Sequence, residues 1–166
     1  IIYVGNVSED EIATAENNNE HFKQLKTFAE TENAKAIAIS AKIEEELSEM
    51  DKEDKEMFLQ DLGIDESGLD KVVKAAYSIL GLCTFLTAGE DECRAWTFKQ
   101  GMTAPECAGV IHSDFQRGFI KAEVYKFDDM DKLESEAAIK EAGKLRIEGK
   151  EYIVQDGDLM HFRFNV

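Results

Sequence analysis

Ile1-Ile2-Tyr3-Val4-Gly5-Asn6-Val7-Ser8-Glu9 and, further along, Lys35-Ala36-Ile37-Ala38-Ile39-Ser40-Ala41-Lys42 are the stretches whose reading decides the first half of this chain. Each is a short apolar run that ends abruptly in polar residues, the pattern of a strand with a loop at its end. Between them, Phe22, Leu25, Phe28 and Ala29 fall on one helical face within Glu20 to Thr31. Strand, helix and strand in that order predict a βαβ unit with Asn6 and Ser40 at the two strand ends, where α/β folds carry their ligand loops. A second reading stays open for Ser8, as a helix N-cap followed by the acidic first-turn residues Glu9, Asp10 and Glu11.

Asn6-Val7-Ser8-Glu9 and Ser40-Ala41-Lys42 together resemble the two base-reading loops of a P-loop nucleotide hydrolase. A GTPase reads guanine with Asn-Lys-x-Asp at one strand end and Ser-Ala-Lys at the next. Here both spacings are kept and two residue types differ. The guanine-reading Asp accepts hydrogen bonds from the ring N1–H and the exocyclic N2 amine, and adenine offers neither. Glu9 in place of that Asp and apolar Val7 in place of the Lys that covers the base both loosen the guanine requirement. Asn6 still suits adenine, because an amide can pair with N7 and N6 together.

From Ser40 onward the chain resembles the C-terminal half of the Obg-like ATPases of the YchF family. The blocks that carry the resemblance are Ser40-Ala41-Lys42-Ile43-Glu44, Glu66-Ser67-Gly68-Leu69-Asp70, Thr84-Phe85-Leu86-Thr87-Ala88-Gly89 and Arg94-Ala95-Trp96-Thr97. They continue through Gly101-Met102-Thr103-Ala104-Pro105, Gly109-Val110-Ile111-His112-Ser113-Asp114-Phe115 and Gly118-Phe119-Ile120-Lys121-Ala122-Glu123-Val124. The run from Lys140 to Lys150, the Asp156-Gly157-Asp158 turn and the closing His161-Phe162-Arg163-Phe164-Asn165-Val166 complete them.

A chain of 166 residues suffices for one good core or two small ones. With no secretory segment and no apolar run of membrane-spanning length, the expectation is a cytoplasmic protein. Three cysteines, Cys83, Cys93 and Cys107, without C-x-x-C spacing read as reduced thiols. The net charge of −16 is concentrated in residues 1–81, with 8 Lys and Arg against 19 Asp and Glu, while residues 82–166 carry 11 against 16. No basic stripe with interleaved aromatics is visible, which excludes autonomous, high-affinity nucleic-acid binding as the expected function.

Leu47, Met50, Met57, Phe58 and Leu59 mark the apolar positions of two short helices between Ile43 and Leu62, broken near Asp51. An amphipathic helix starts after Ser67 and is stopped by Gly81, the expected domain boundary. Beyond it, Cys83 to Thr87 and Glu92 to Phe98 flank the turn Ala88-Gly89-Glu90-Asp91 as a hairpin. Ala104 to Ile111 reads as a helix with Pro105 in its first turn, Phe119 to Phe127 as a strand and Glu136 to Gly143 as a helix. Short strands are expected at Leu145 to Glu148, Tyr152 to Val154 and Leu159 to Phe164.

Periodicity supports a small α+β unit for residues 82–166, and the family resemblance implies a ubiquitin-like β-grasp, the TGS domain, after the C-terminal end of a P-loop NTPase domain with its helical connector in residues 1–81. For the parent protein the resemblance implies ATP hydrolysis with tolerance for GTP, dependence on Mg²⁺, and association with the ribosome through its large subunit. On the matching positions, Asn6 and Val7 would contact the adenine, Glu9 would border it, and Ser40, Ala41 and Lys42 would form the second base loop. No G-x-x-x-x-G-K-[ST] occurs, so the phosphate cradle is missing and this chain alone is expected to be inactive. Among bystanders, Cys93, Cys107 and His112 lack zinc spacing, His112 and Asp114 read as bracing their own loop, Trp96 reads as core, and Glu44-Glu45-Glu46 as a solvated helix face. A stand-alone β-grasp interaction module that binds protein or RNA is the competing reading. The two strand-end loops of the first 42 residues discriminate, since such a module needs neither.

Overall fold

In a computed structural model that describes residues 1–89 and 92–165, the chain divides into two units, Ile1–Ile79 and Leu80–Val166. Glu90 and Asp91, half of the turn expected at Ala88-Gly89-Glu90-Asp91, lie outside the described residues, as does Val166.

In the first unit, β1 (Ile2–Asn6) and β2 (Lys35–Ile39) pair in parallel, with Ile2 opposite Lys35 and Asn6 opposite Ile39. A 3₁₀ turn over Glu9–Thr14, a short α1 (Ala15–Asn18) and α2 (Glu20–Thr31) connect them. Asn19 caps α2 by accepting from the Phe22 amide at 2.9 Å. Phe22 and Ala29 are the buried face of α2, and Phe22 packs with Ala15 and Ala38. Gly5 permits that packing, because a Cβ on it would sit 2.8 Å from Phe22 Cδ2.

Three further helices complete this unit: α3 (Ala41–Glu49), α4 (Lys52–Asp61) and α5 (Gly68–Leu80). Asp51 separates the first two as expected, its side chain accepting from the Asp54 amide at 3.0 Å. After α5, Gly81 adopts a φ of +62°, a left-handed conformation that costs glycine little and ends the helix.

The second unit is a mixed sheet in the order β4-β3-β7-β5-β6. It comprises β3 (Leu82–Ala88), β4 (Cys93–Lys99), β5 (Phe119–Lys126), β6 (Arg146–Glu148) and β7 (Asp158–Phe164). The first and last of these strands, β3 and β7, run parallel at its centre, and the other pairings are antiparallel. Helix α6 (Ala104–Ile111) packs Ala104, Cys107 and Ala108 against Phe85, Phe98, Phe119, Ala122, Val124, Met160 and Phe162. Ile139 of α9 (Glu136–Glu141), with Met130 and Leu133 of α8 (Phe127–Leu133), covers Tyr125 and Leu159 in a separate cluster.

Three sequence expectations change here. Tyr152 to Val154 forms no strand but a single bridge between Ile153 and Thr103. Phe127 opens a helix rather than closing β5. Ser113–Arg117 is a short helix, α7, where a loop was expected.

Candidate functional site

Because β1 and β2 are parallel and in register, their C-terminal ends lie side by side, and both candidate loops leave from that end. The Val7 amide extends the pairing by donating to the Ile39 carbonyl at 2.8 Å. The loops are then tied together: Asn6 Oδ1 accepts from the Ala41 amide at 3.0 Å. Ser40 is buried, with its carbonyl accepting from Glu44 N at 3.0 Å as α3 begins, while Ala41 and Lys42 stay exposed in the first turn.

A second tie is ionic. Lys42 Nζ lies 2.5 Å from Glu9 Oε1 and 3.9 Å from Glu46 Oε1, and the hydrogen bond and charge of Glu9 raise the Lys42 pKa above its ordinary value. Glu9 can reach because the 3₁₀ turn starts at that residue, with Ser8 extended before it. Ser8 donates to Glu11 Oε2 at 3.0 Å and makes no side-chain cap to the backbone. Val7 is half-buried and packs against the Ala15, Phe22 and Ala38 cluster. Asn6, Glu9, Ser40, Ala41 and Lys42 are thus gathered at one strand-end corner, with the Val7 side chain turned partly into the core.

Glu44 requires a correction. It is not part of a solvated face: its carboxylate accepts from Gly68 N at 2.7 Å and Leu69 N at 3.2 Å. One side chain from α3 therefore satisfies two of the orphan amides that open α5 and sets a negative charge at the positive end of the helix. Such a partner is 24 residues away in sequence, and local spacing carries no sign of it.

Of the bystanders, Cys107 is fully buried and burial pushes its thiol up to about 12, whereas Cys93 is exposed on β4. Among the described residues no group of three or more His, Cys, Asp or Glu is arranged for a metal ion. His112 Nδ1 accepts from Asp114 N at 3.2 Å, capping α7, and Asp114 pairs with Arg117. Trp96 stacks on Phe85 and donates from Nε1 to Thr87 Oγ1 at 2.9 Å.

In the second unit the Asp156-Gly157-Asp158 turn is a structural node. Asp156 Oδ1 accepts from Thr84 N at 2.7 Å, and Gly157 N donates to Thr84 O at 2.9 Å. Asp158 is fully buried; its Oδ2 accepts from the Tyr152 hydroxyl at 2.7 Å and Gln155 N at 2.8 Å. Lys126 Nζ lies 2.8 Å from Oδ1 and Arg146 3.7 Å away, yet neither is aligned as a hydrogen bond, so Oδ1 is held by charge alone.

Residues 82–165 match the family model YchF-GTPase_C, described as a protein of unknown function (DUF933). The whole chain is 59% identical to the ribosome-binding ATPase YchF of Bacillus subtilis, covering 45% of that protein. Over 99% of its length it is 42% identical to Obg-like ATPase 1 of Gallus gallus, covering 41% of it. The solved YchF GTPase of Schizosaccharomyces pombe superposes with a TM-score of 0.82 at 32% identity over 98% of this chain and 43% of that one. The chain spans less than half the length of these relatives. With the family model matched across its second unit and relatives matched from end to end, the chain belongs to the YchF family, as a C-terminal part of it.

Proposed function

We propose that this chain is the C-terminal part of a cytoplasmic, ribosome-associated Obg-like protein that binds and hydrolyses ATP and accepts GTP, and that it contributes the base-reading loops and a TGS interaction domain. The observation that carries the reading is the hydrogen bond from the Ala41 amide to Asn6 Oδ1, which joins the two loops at one strand-end corner. It also bears on which base fits. A 6-oxo purine needs a donor opposite its oxygen, and the Ala41 N–H is already engaged. A 6-amino purine needs an acceptor, and Asn6 Oδ1 keeps a second lone pair while Nδ2 can donate to N7. Glu9, engaged with Lys42, is drawn away from the position where guanine would require a carboxylate.

These residues fit a base and not a phosphate. The ATP phosphates and Mg²⁺ would be held by the parent's other half, which supplies the chemistry, while Asn6, Glu9, Ser40, Ala41 and Lys42 orient the purine. For the second unit, support for the TGS assignment is the strand order β4-β3-β7-β5-β6 with its parallel central pair and a helix packed across one face, which is the connectivity of a β-grasp. Relatives bear the name ribosome-binding ATPase, and large-subunit contact by this part is expected to be weak, since net charge −16 opposes RNA phosphates.

The test is nucleotide kinetics. The isolated chain should show no ATP turnover, whereas the complete protein should hydrolyse ATP. In that complete protein, Asn6→Leu should raise KM for ATP about tenfold or more with kcat little changed, the signature of a lost binding contact. An unaltered KM would show that the base is read elsewhere.

A further inference from the structure

Strand β4 closes one edge of the second unit's sheet. Every residue from Cys93 to Lys99 pairs with β3, and among the described residues no strand lies on its other side. Natural sheets usually blunt such an edge with proline, a bulge, charged side chains or a covering element, and of these β4 carries the charges of Arg94 and Lys99. Here the register is unbroken and residues 93–99 contain no proline.

Two features beside this edge point to what it accepts. The stretch Cys93 to Pro105 holds Arg94 and Lys99 and no acidic residue, in a chain of net charge −16, with Glu92 just before it an exposed partner 3.8 Å from Arg94. The Arg94 guanidinium lies 4.2 Å over the Trp96 ring, which fixes one of these charges in place. Against the strand lies an apolar cleft of about 320 Å³ whose lining includes Leu86, Ala88, Ala95, Phe127 and Leu159, with the Cys93 thiol on its wall. Phe127 is 50% exposed there.

We infer that β4 and this cleft are a docking site for an extended acidic segment of a protein partner, which adds as a further strand along β4 and seats an apolar side chain against Phe127. Strand addition supplies backbone hydrogen bonds. Because side chains alternate, acidic ones meet Arg94 on one face of β4 while apolar ones meet the cleft on the other, the face that also carries Lys99 at the strand end. A second copy of this chain is a poor occupant: antiparallel pairing of β4 with itself sets Arg94 of one copy near Lys99 of the other, between two bodies that each carry −16. RNA is disfavoured as well, because two cations in so acidic a body release few counterions.

The experiment uses the 166-residue chain and a short capped peptide of alternating Glu and Val, with two controls: the same peptide with Lys for Glu, and one N-methylated at alternate amides. Cys93, which is exposed, is the reporter, read in a Cys83→Ala background because Cys83 is partly exposed, while Cys107 is buried. The Glu/Val peptide should slow modification of Cys93 by a thiol reagent and shift the amide signals of residues 93–99 and 127. Arg94→Glu with Lys99→Glu should weaken binding about tenfold or more. Lys99→Glu alone, which spares the Arg94 contact with Trp96, should weaken it by a smaller factor in the same direction. Both control peptides should fail to protect the thiol.

Equal binding by the Lys peptide or by the N-methylated peptide would overturn the inference. So would shifts confined to other residues, or no protection at millimolar peptide. Protection of Cys93 that grows with protein concentration without peptide would assign the edge to a second copy instead.

Discussion

Replacing Asp158 is the perturbation whose cost can be worked most fully from the structure. Asp158→Ala deletes two charge-assisted hydrogen bonds, from the Tyr152 hydroxyl and Gln155 N, and leaves the ammonium of Lys126 without its 2.8 Å counter-charge. Hydrogen bonds to charged groups contribute about 1.5–3 kcal/mol each, and breaking a buried pair costs about 3–5 kcal/mol. Lys126 and Arg146 are 41% and 44% exposed and can turn toward water, so the expected loss is at the low end, about 3 kcal/mol. Asp158→Asn keeps an acceptor but sets an amide donor among cations, for roughly 2 kcal/mol, and Tyr152→Phe removes the hydrogen bond to Asp158 and a weaker one accepted from the half-exposed Arg146, for roughly 1–2 kcal/mol together. Trp96, the single tryptophan, sits in the second unit against Phe85, so its fluorescence during urea denaturation reports that unit alone. The order Ala, then Asn, then Tyr152→Phe is required. An Asp158→Ala variant within about 1 kcal/mol of the unsubstituted chain would refute the reasoning.

Alkaline pH should destabilise the second unit in a defined window. Burial holds Cys107 and Tyr152 each at about 12, against ordinary values of 9 and 10. The folded state therefore keeps protons that the unfolded state releases, so stability is complete below pH 9 and is lost as pH rises from 9 toward 12. Cys107→Ala should remove the part of the slope that begins at pH 9, and an unchanged slope in that variant combined with Tyr152→Phe would contradict the assignment. Residues 82–166, expressed alone, should fold by themselves, because their sheet and α6 enclose their own core. Well-dispersed amide signals are expected, and collapsed signals would mean that α5 is needed to complete the unit.

The elements that were legible in the sequence are those whose cause is local. The β1-α2-β2 order followed from apolar spacing, the α3/α4 break from the capping preference of Asp51, and the end of α5 from Gly81. What stayed hidden depends on partners distant in sequence. Glu44 reads as one of three adjacent glutamates until α5 brings Gly68 to it. Tyr152 to Val154 has strand-forming residues, but the Tyr152 hydroxyl is committed to Asp158 and the segment gains only one bridge. Helix α8 opens with Phe127, Asp128 and Asp129, where the alternation of β5 runs straight into acidic first-turn residues. At the candidate site, spacing identified the two loops, and the Asn6–Ala41 and Glu9–Lys42 ties emerged only with the parallel register of their strands.

The central claim, that this corner reads the base of a nucleotide, is tested most directly by the ratio of kcat/KM for ATP to that for GTP in the complete protein carrying Val7→Lys and Glu9→Asp. The lysine stem can keep the apolar contacts of Val7 while its charge reaches over the base. The shorter carboxylate is freed from Lys42 to accept from guanine. The account predicts a shift toward GTP of about 1–3 kcal/mol, roughly 5- to 150-fold in the ratio. An unchanged ratio in a variant that still folds and hydrolyses ATP would contradict it.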